Sequence, residues 1–223
     1  HMLRHVMGET NFWAAMADYR TQFAYKSALS TDFAAVMSAR YGSDMSWYFT
    51  PWLDQPGAPA YSIATRTSTI NGQNYLSVNL RQTQKTLSST YPYYKMPVDF
   101  KLTDGAGTRT VVLQNAAVAD QWFMLPITGS ASGLTVDPDS WILKAGSSAT
   151  HTNTAEPPKI VAVTNGGRRA GEIFKVYFSR DVNITAADIT LTSGGQPVRF
   201  RLSYWNSVAT ILVKRKPVDF SAL

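Results

Sequence analysis

The sequence predicts an α+β multidomain protein: a short helical segment, then a β-sandwich, then a small β-domain. Three observations predict it. Up to about residue 55, apolar residues recur every three or four positions. After Pro59 they recur at every second position. A small, polar stretch ending in Pro157-Pro158 then interrupts the apolar pattern. The predicted boundaries are 1–58 for the helical segment, 59–145 for the sandwich, 146–158 for a linker and 159–223 for the last β-domain.

Met2, Leu3, Val6 and Met7 share one helix face, and Gly8 is a natural stop. A second helix starts near Thr10 or Asn11, with Phe12, Met16, Tyr19 and Phe23 as its apolar stripe. Ser30 is the expected N-cap of a third, with Asp32 in the first turn where the helix dipole favours an acid. Phe33, Val36, Met37 and Tyr41 form its buried face, and Gly42 ends it. A fourth, short helix carries Trp47, Tyr48 and Trp52, and Pro51 is expected to end or kink it.

The strands follow. Tyr61–Thr65 and Tyr75–Leu80 alternate, with Asn71-Gly72 between them as a hairpin signal. Val98, Phe100 and Leu102 alternate before an Asp104-Gly105 turn, and 110–113 return. Residues 122–125 and 134–136 supply two more strands. Beyond the linker, strands are expected at 159–163, 173–178, 189–191, 198–200 and 209–213. Gly166-Gly167, Gly194-Gly195 and Asn206-Ser207 read as turns.

Composition narrows the function. The 223 residues are 44% apolar, enough for a packed core, and carry no cysteine. Disulfides, thiolate metal sites and thiol nucleophiles are thereby excluded. No apolar run is long enough to span a membrane as a helix. The net charge of +6 is uneven. Residues 1–150 hold eleven Lys and Arg against ten Asp and Glu, whereas residues 151–223 hold ten against five. The basic excess marks the last third as a module with its own surface role.

Two motifs carry a family resemblance. The first runs from Asp32-Phe33 through Asp44-Met45-Ser46-Trp47-Tyr48-Phe49 and Trp52-Leu53 to Gly57-Ala58-Pro59. It resembles the segment that ends the catalytic domain of zinc aminopeptidases of the gluzincin, aminopeptidase N-like family. The second, Val136-Asp137-Pro138-Asp139-Ser140-Trp141-Ile142-Leu143-Lys144, resembles the last strand of the β-sandwich that follows that domain. The resemblance covers roughly residues 2–144. It implies a zinc-dependent parent peptidase in which a metal-bound water attacks a polarised carbonyl. It also implies that the helical segment closes one side of the substrate chamber and the sandwich braces it. The stretch Val176-Tyr177-Phe178-Ser179-Arg180-Asp181-Val182, continuing to Asp188, resembles bacterial immunoglobulin-like modules of secreted enzymes. Export to the periplasm or beyond is the expected localisation, with the cytoplasm as the alternative.

The catalytic parts of such an enzyme are absent from the sequence. There is no His-Glu-x-x-His. His1 and His5 stand four apart but lack the following Glu, and Tyr19, Tyr25 and Tyr41 do not sit in the family's Tyr-x-Lys-Gly motif. No catalytic, cofactor-binding or metal-binding residue is therefore assigned. Zinc is expected in the parent enzyme and no cofactor in this chain. Asp137 and Asp139 read as turn formers, and His151 as an exposed linker residue. The leading expectation is a non-catalytic C-terminal fragment partnered by the upstream catalytic domain, inactive alone, with apolar helix faces around Trp13 and Phe49 exposed. The alternative is an independent adhesion module for an anionic surface or polysaccharide, nucleic acid not being the expected partner. Its candidate surface-binding residues are Arg168, Arg169, Tyr204, Trp205, Lys214, Arg215 and Lys216.

Overall fold

Gly8 sets the first bend of the chain. In the computed structural model, which describes residues 1–85, 88–146, 148–152, 158, 160–168, 171–180, 182–193, 196–205 and 207–214, it adopts φ 76° between α1 (Met2–Met7) and α2 (Glu9–Phe23). The third helix, α3 (Ser30–Tyr41), begins one residue earlier than the hydroxyl at Ser30 suggests. Leu29 is its N-cap, and the Asp32 carboxylate accepts the Leu29 N–H at 2.8 Å. A carboxylate three residues into the helix is the stronger acceptor. Gly42, left-handed at φ 86°, closes α3 by donating its N–H to the Ser38 carbonyl at 3.0 Å.

Pro51, expected to end or kink the fourth helix, lies just past the point where the α-helix ends and the helix type changes. The helix α4 (Ser46–Phe49) continues beyond it as a wider π-helical turn, Thr50–Asp54. The wider turn gives the proline ring room against the carbonyl one turn back, and the helical path persists to Asp54.

The next elements form two sheets. One has the order β5-β2-β1-β7, from Asp120–Ile127, Gln73–Gln82, Tyr61–Ile70 and Ala149–Thr150. The other has the order β4-β3-β6, from Gly107–Asn115, Met96–Asp104 and Gly133–Val136. Asn71 at φ 50° and Gly72 at φ 77° make the β1–β2 turn. Gly105, in the β3–β4 turn, has no room for a side chain: a Cβ there would lie 2.8 Å from the Thr128 carbonyl oxygen. Met96, Val98, Phe100 and Leu102 of β3 are fully buried, as the period of two requires. They share one core with Val78 and Leu80 of β2 and with Leu3, Met7, Ala15, Met37 and Phe49 of the helices.

The segment after β6 differs from its expected form. Residues 141–144 are not a strand. Asp137 takes φ 47° and its buried carboxylate gathers the following backbone, so the chain turns instead of extending.

The chain divides into two compact units, residues 1–67 with 76–154 and residues 68–75 with 155–223. In the second, an antiparallel sheet has the order β12-β13-β9-β8, from Arg201–Trp205, Val208–Lys214, Gly171–Phe178 and Ile160–Arg168. A two-residue pair, β10 (Thr192–Ser193) and β11 (Gln196–Pro197), stands apart from it. Three expectations are corrected here. Gly166 and Gly167 lie inside β8, paired with Ile173 and Glu172. Residues 189–191 are not a strand: a 3₁₀ turn, Ala186–Asp188, precedes them, fixed by Asp188 accepting from the Thr185 N–H and hydroxyl at 2.8 Å each. Residues 198–200 are not a strand either, and the pairing begins at Arg201.

Candidate functional site

The helical face offers an open apolar groove. Phe12, Met16 and Tyr19 of α2 pack half-buried on the core, while Trp13, one position round, is 56% exposed. Its indole N–H donates to Glu9 Oε2 at 2.8 Å. Trp13, Met16, Tyr19, Phe23 and Ala28 line an open groove of about 660 Å³. Phe49 corrects the expectation that it is exposed. It is buried, with its ring edge-on to Phe33 and Tyr48 at centroid distances of 6.0 and 5.3 Å. Burial pushes the neighbouring Tyr48 hydroxyl up to about 12.

The two N-terminal histidines are occupied by packing. His1 and His5 both stack on Trp141, at 4.4 and 4.8 Å. Arg4 lies over the same ring at 5.3 Å. His5 Nε2 stands 3.0 Å from Asp99 Oδ1, within ion-pair distance but out of line for a hydrogen bond. Among the described residues, no group of three or more His, Cys, Asp or Glu comes together to hold a metal ion.

Asp137 is the organising acid of the same region. Its carboxylate accepts the Trp141 N–H at 2.7 Å and the Ile142 N–H at 3.3 Å, and pairs with Lys144 Nζ. The Asp137 side chain is fully buried and that of Lys144 nearly so. Asp139 is exposed. The turn-forming role read from the sequence therefore falls on one acid of the pair.

His151 corrects its assignment as an exposed residue. Its backbone N–H donates to the Ile63 carbonyl at 2.9 Å, continuing the parallel β1–β7 pairing of Ser62 with Ala149 and Ile63 with Thr150. Its Nδ1 lies 2.8 Å from Ser62 Oγ and its Nε2 lies 2.7 Å from Asn79 Oδ1. Asn79 Nδ2 donates to Asp120, which also holds Arg81 at 2.8 Å. The Asn79 oxygen therefore faces the ring, and the neutral Nε2–H tautomer satisfies both contacts. Burial, then the Arg81 charge, holds the imidazole below its ordinary value, against the opposing pull of Asp120. The run of small polar residues around His151 hid this contact, since nothing local indicates its distant partners.

The predicted surface residues of the second unit separate. Tyr204 and Trp205 are neighbours on β12 and so face opposite sides of the sheet. Tyr204 turns inward: its ring lies 6.3 Å from Phe178, and its hydroxyl accepts the Val182 N–H at 2.8 Å. Trp205 is 79% exposed. The two rings therefore do not share one side of the sheet. Arg168 closes β8 opposite Gly171, and Lys214 closes β13 opposite the same residue. Arg169, Arg215 and Lys216 lie outside the described residues.

No protein-family model matches the chain. A stretch of 63 residues is 32% identical to a leucyl aminopeptidase of Saccharolobus solfataricus, covering 28% of this chain and 8% of that protein. Among solved structures, an aminopeptidase A of Legionella pneumophila in complex with aspartic acid is similar with a TM-score of 0.49 and 13% identity. That likeness covers 69% of this chain and 17% of the other. The chain thus spans a small part of the length of either protein. Its α+β architecture of few helices and several sheets accompanies a weak sequence relationship to an aminopeptidase.

Proposed function

We propose that this chain is the non-catalytic C-terminal part of a zinc-dependent, aminopeptidase N-like metallopeptidase, with a β-module appended. The helices α2–α4 close one side of the substrate chamber, and the two sheets behind them brace that wall. The zinc ligands and catalytic groups belong to the upstream catalytic domain, the chain's partner in this reading. The observation that carries the proposal is the sequence likeness to a leucyl aminopeptidase. The exposed groove beside Trp13 supports it, because an apolar surface rimmed by Arg20 and Lys26 suits burial against a neighbouring domain.

The test has two arms. Metal content is measured together with turnover of a panel of fluorogenic aminoacyl amides by the chain alone. The expected result is neither stoichiometric zinc nor turnover. Chelator-sensitive turnover that survives purification overturns the assignment of catalysis to other sequence. The upstream domain is then added in trans, and a stable complex lost on Trp13→Glu is expected. Failure of the two parts to associate overturns the chamber-wall role.

A further inference from the structure

We propose that the open face of the β12-β13-β9-β8 sheet binds an acidic, uronate-type polysaccharide, with Trp205 as its stacking platform. This inference stands on the second unit alone and is independent of the peptidase reading.

The face is defined by register. Directly paired residues of neighbouring strands share a side of the sheet. Trp205 pairs with Val208, which pairs with Tyr177. The next row on the same side is Ser203, Thr210 and Lys175, and the third is Arg201 with the half-buried Leu212 and Ile173. The opposite side holds Ala209, Ile211 and Phe178, all buried, together with the inward Tyr204. Over β12, β13 and β9 the sheet therefore has one side turned to buried residues and one side on which Trp205, Ser203, Lys175 and Arg201 are exposed, while at β8 Val163 of the first side is exposed as well.

The chemistry of that side is one-signed. Lys175 and Arg201 are both exposed, and neither forms an ion pair among the described residues. Glu172, the acid of β9, pairs with Val213 and so belongs to the buried side. No carboxylate occupies a register position of the open face among the described residues. A polyanion laid across it thus meets attraction without an opposing charge.

The remaining groups select the class of polyanion. A 79% exposed indole offers a flat apolar surface to the C–H face of a pyranose ring. The middle row offers the hydroxyls of Ser203 and Thr210 beside Lys175, suited to sugar hydroxyls. Single-stranded nucleic acid would be served by rings on which successive bases stack. Here the second ring, Tyr177, is half-buried and stands two strand spacings from Trp205, about 10 Å. Carboxylates carried on successive sugar rings suit Lys175 and Arg201, which lie in different rows of the same flat surface.

The experiment is affinity electrophoresis and calorimetry of the full chain with alginate, with dextran as the neutral polymer and poly(dT) as the competing polyanion. Alginate binding is expected, weakened at least about tenfold by Trp205→Ala. It is also expected to weaken with added salt and with Lys175→Glu or Arg201→Glu. Dextran should not bind. Tyr204→Phe, on the other side of the sheet, should leave binding unchanged. Failure to bind alginate at low salt overturns the proposal. So does binding indifferent to Trp205→Ala, or tighter retention on poly(dT) through the same residues.

Discussion

Asp137 Oδ1 accepts the backbone N–H of Trp141 at 2.7 Å, and through this bond the chain after β6 becomes a turn instead of a strand. The same carboxylate holds the Ile142 N–H and the Lys144 ammonium, so one buried group satisfies three donors. Asp137→Ala leaves Lys144 without its counter-charge and two N–H groups without an acceptor. The expected cost is about 3–5 kcal/mol, read as a lower urea midpoint. Asp137→Asn keeps an acceptor for one N–H but loses the charge, and should fall between. A midpoint within error of the parent for Asp137→Ala would show that the loop is held by the Trp141 stack on His1 and His5 alone.

The His151 contacts make a pH-dependent attachment of β7 to β1. The imidazole is held below the ordinary value of 6.5, chiefly by burial, so the folded form binds the proton less readily than the unfolded one. The contribution to stability is complete above pH 6.5 and declines as pH falls toward the folded value. Protonation puts a donor on Nδ1 where the neutral ring accepts from the Ser62 hydroxyl, and adds a charge near Arg81. Amide exchange at Ala149, Thr150 and His151 should accelerate between about pH 7.5 and 5, beyond the intrinsic pH dependence of exchange. Asn79→Ala should speed it already at neutral pH. Exchange that follows the intrinsic rate alone would exclude the imidazole as the fastening group.

Much of this architecture is legible in the residues. The alternation of Val98, Phe100 and Leu102, the Asn71-Gly72 turn and the glycines at 8 and 42 are local signals, and each acts where local physics places it. The misread features turn on which partner a residue takes, whether near or far in the chain. Ser30 is a good cap by type, yet Asp32 reaches Leu29 first. His151 looks exposed because its partners, Ser62 and Asn79, lie far away in the chain. Phe49 looks exposed only if its neighbours Phe33 and Tyr48 are ignored. The candidate surface pair Tyr204 and Trp205 is separated by strand alternation, which determines their sides once Arg201–Trp205 is recognised as a strand.

Tyr48 predicts an alkaline weakness. Burial raises its hydroxyl from 10.0 to about 12. The folded state therefore retains a proton that the unfolded state releases. The resulting stabilisation is complete below pH 10 and is lost as pH rises toward 12. Its size is on the order of 2 kcal/mol. Tyr61, more deeply buried, is shifted in the same direction. Tyr48→Phe should flatten the fall in urea midpoint between about pH 10 and 12 while leaving the neutral value nearly unchanged. An unaltered alkaline profile would assign the weakness to other groups.

Trp13 predicts how the isolated chain behaves in solution. Its indole is 56% exposed at the edge of an apolar groove that also takes in Met16, Tyr19 and Phe23. Copies of the chain should meet through this face at high concentration, because covering it removes apolar area from water. Trp13→Glu places a charge at the contact and removes the ring. It should abolish concentration-dependent association in sedimentation velocity while lowering stability by less than about 1 kcal/mol, since the core residue of α2 is Ala15. The bond from the indole to Glu9 is exposed and contributes little. A large loss of stability in this variant would mean that Trp13 supports the helix pair itself. Association unchanged by it would place the contact elsewhere on the chain.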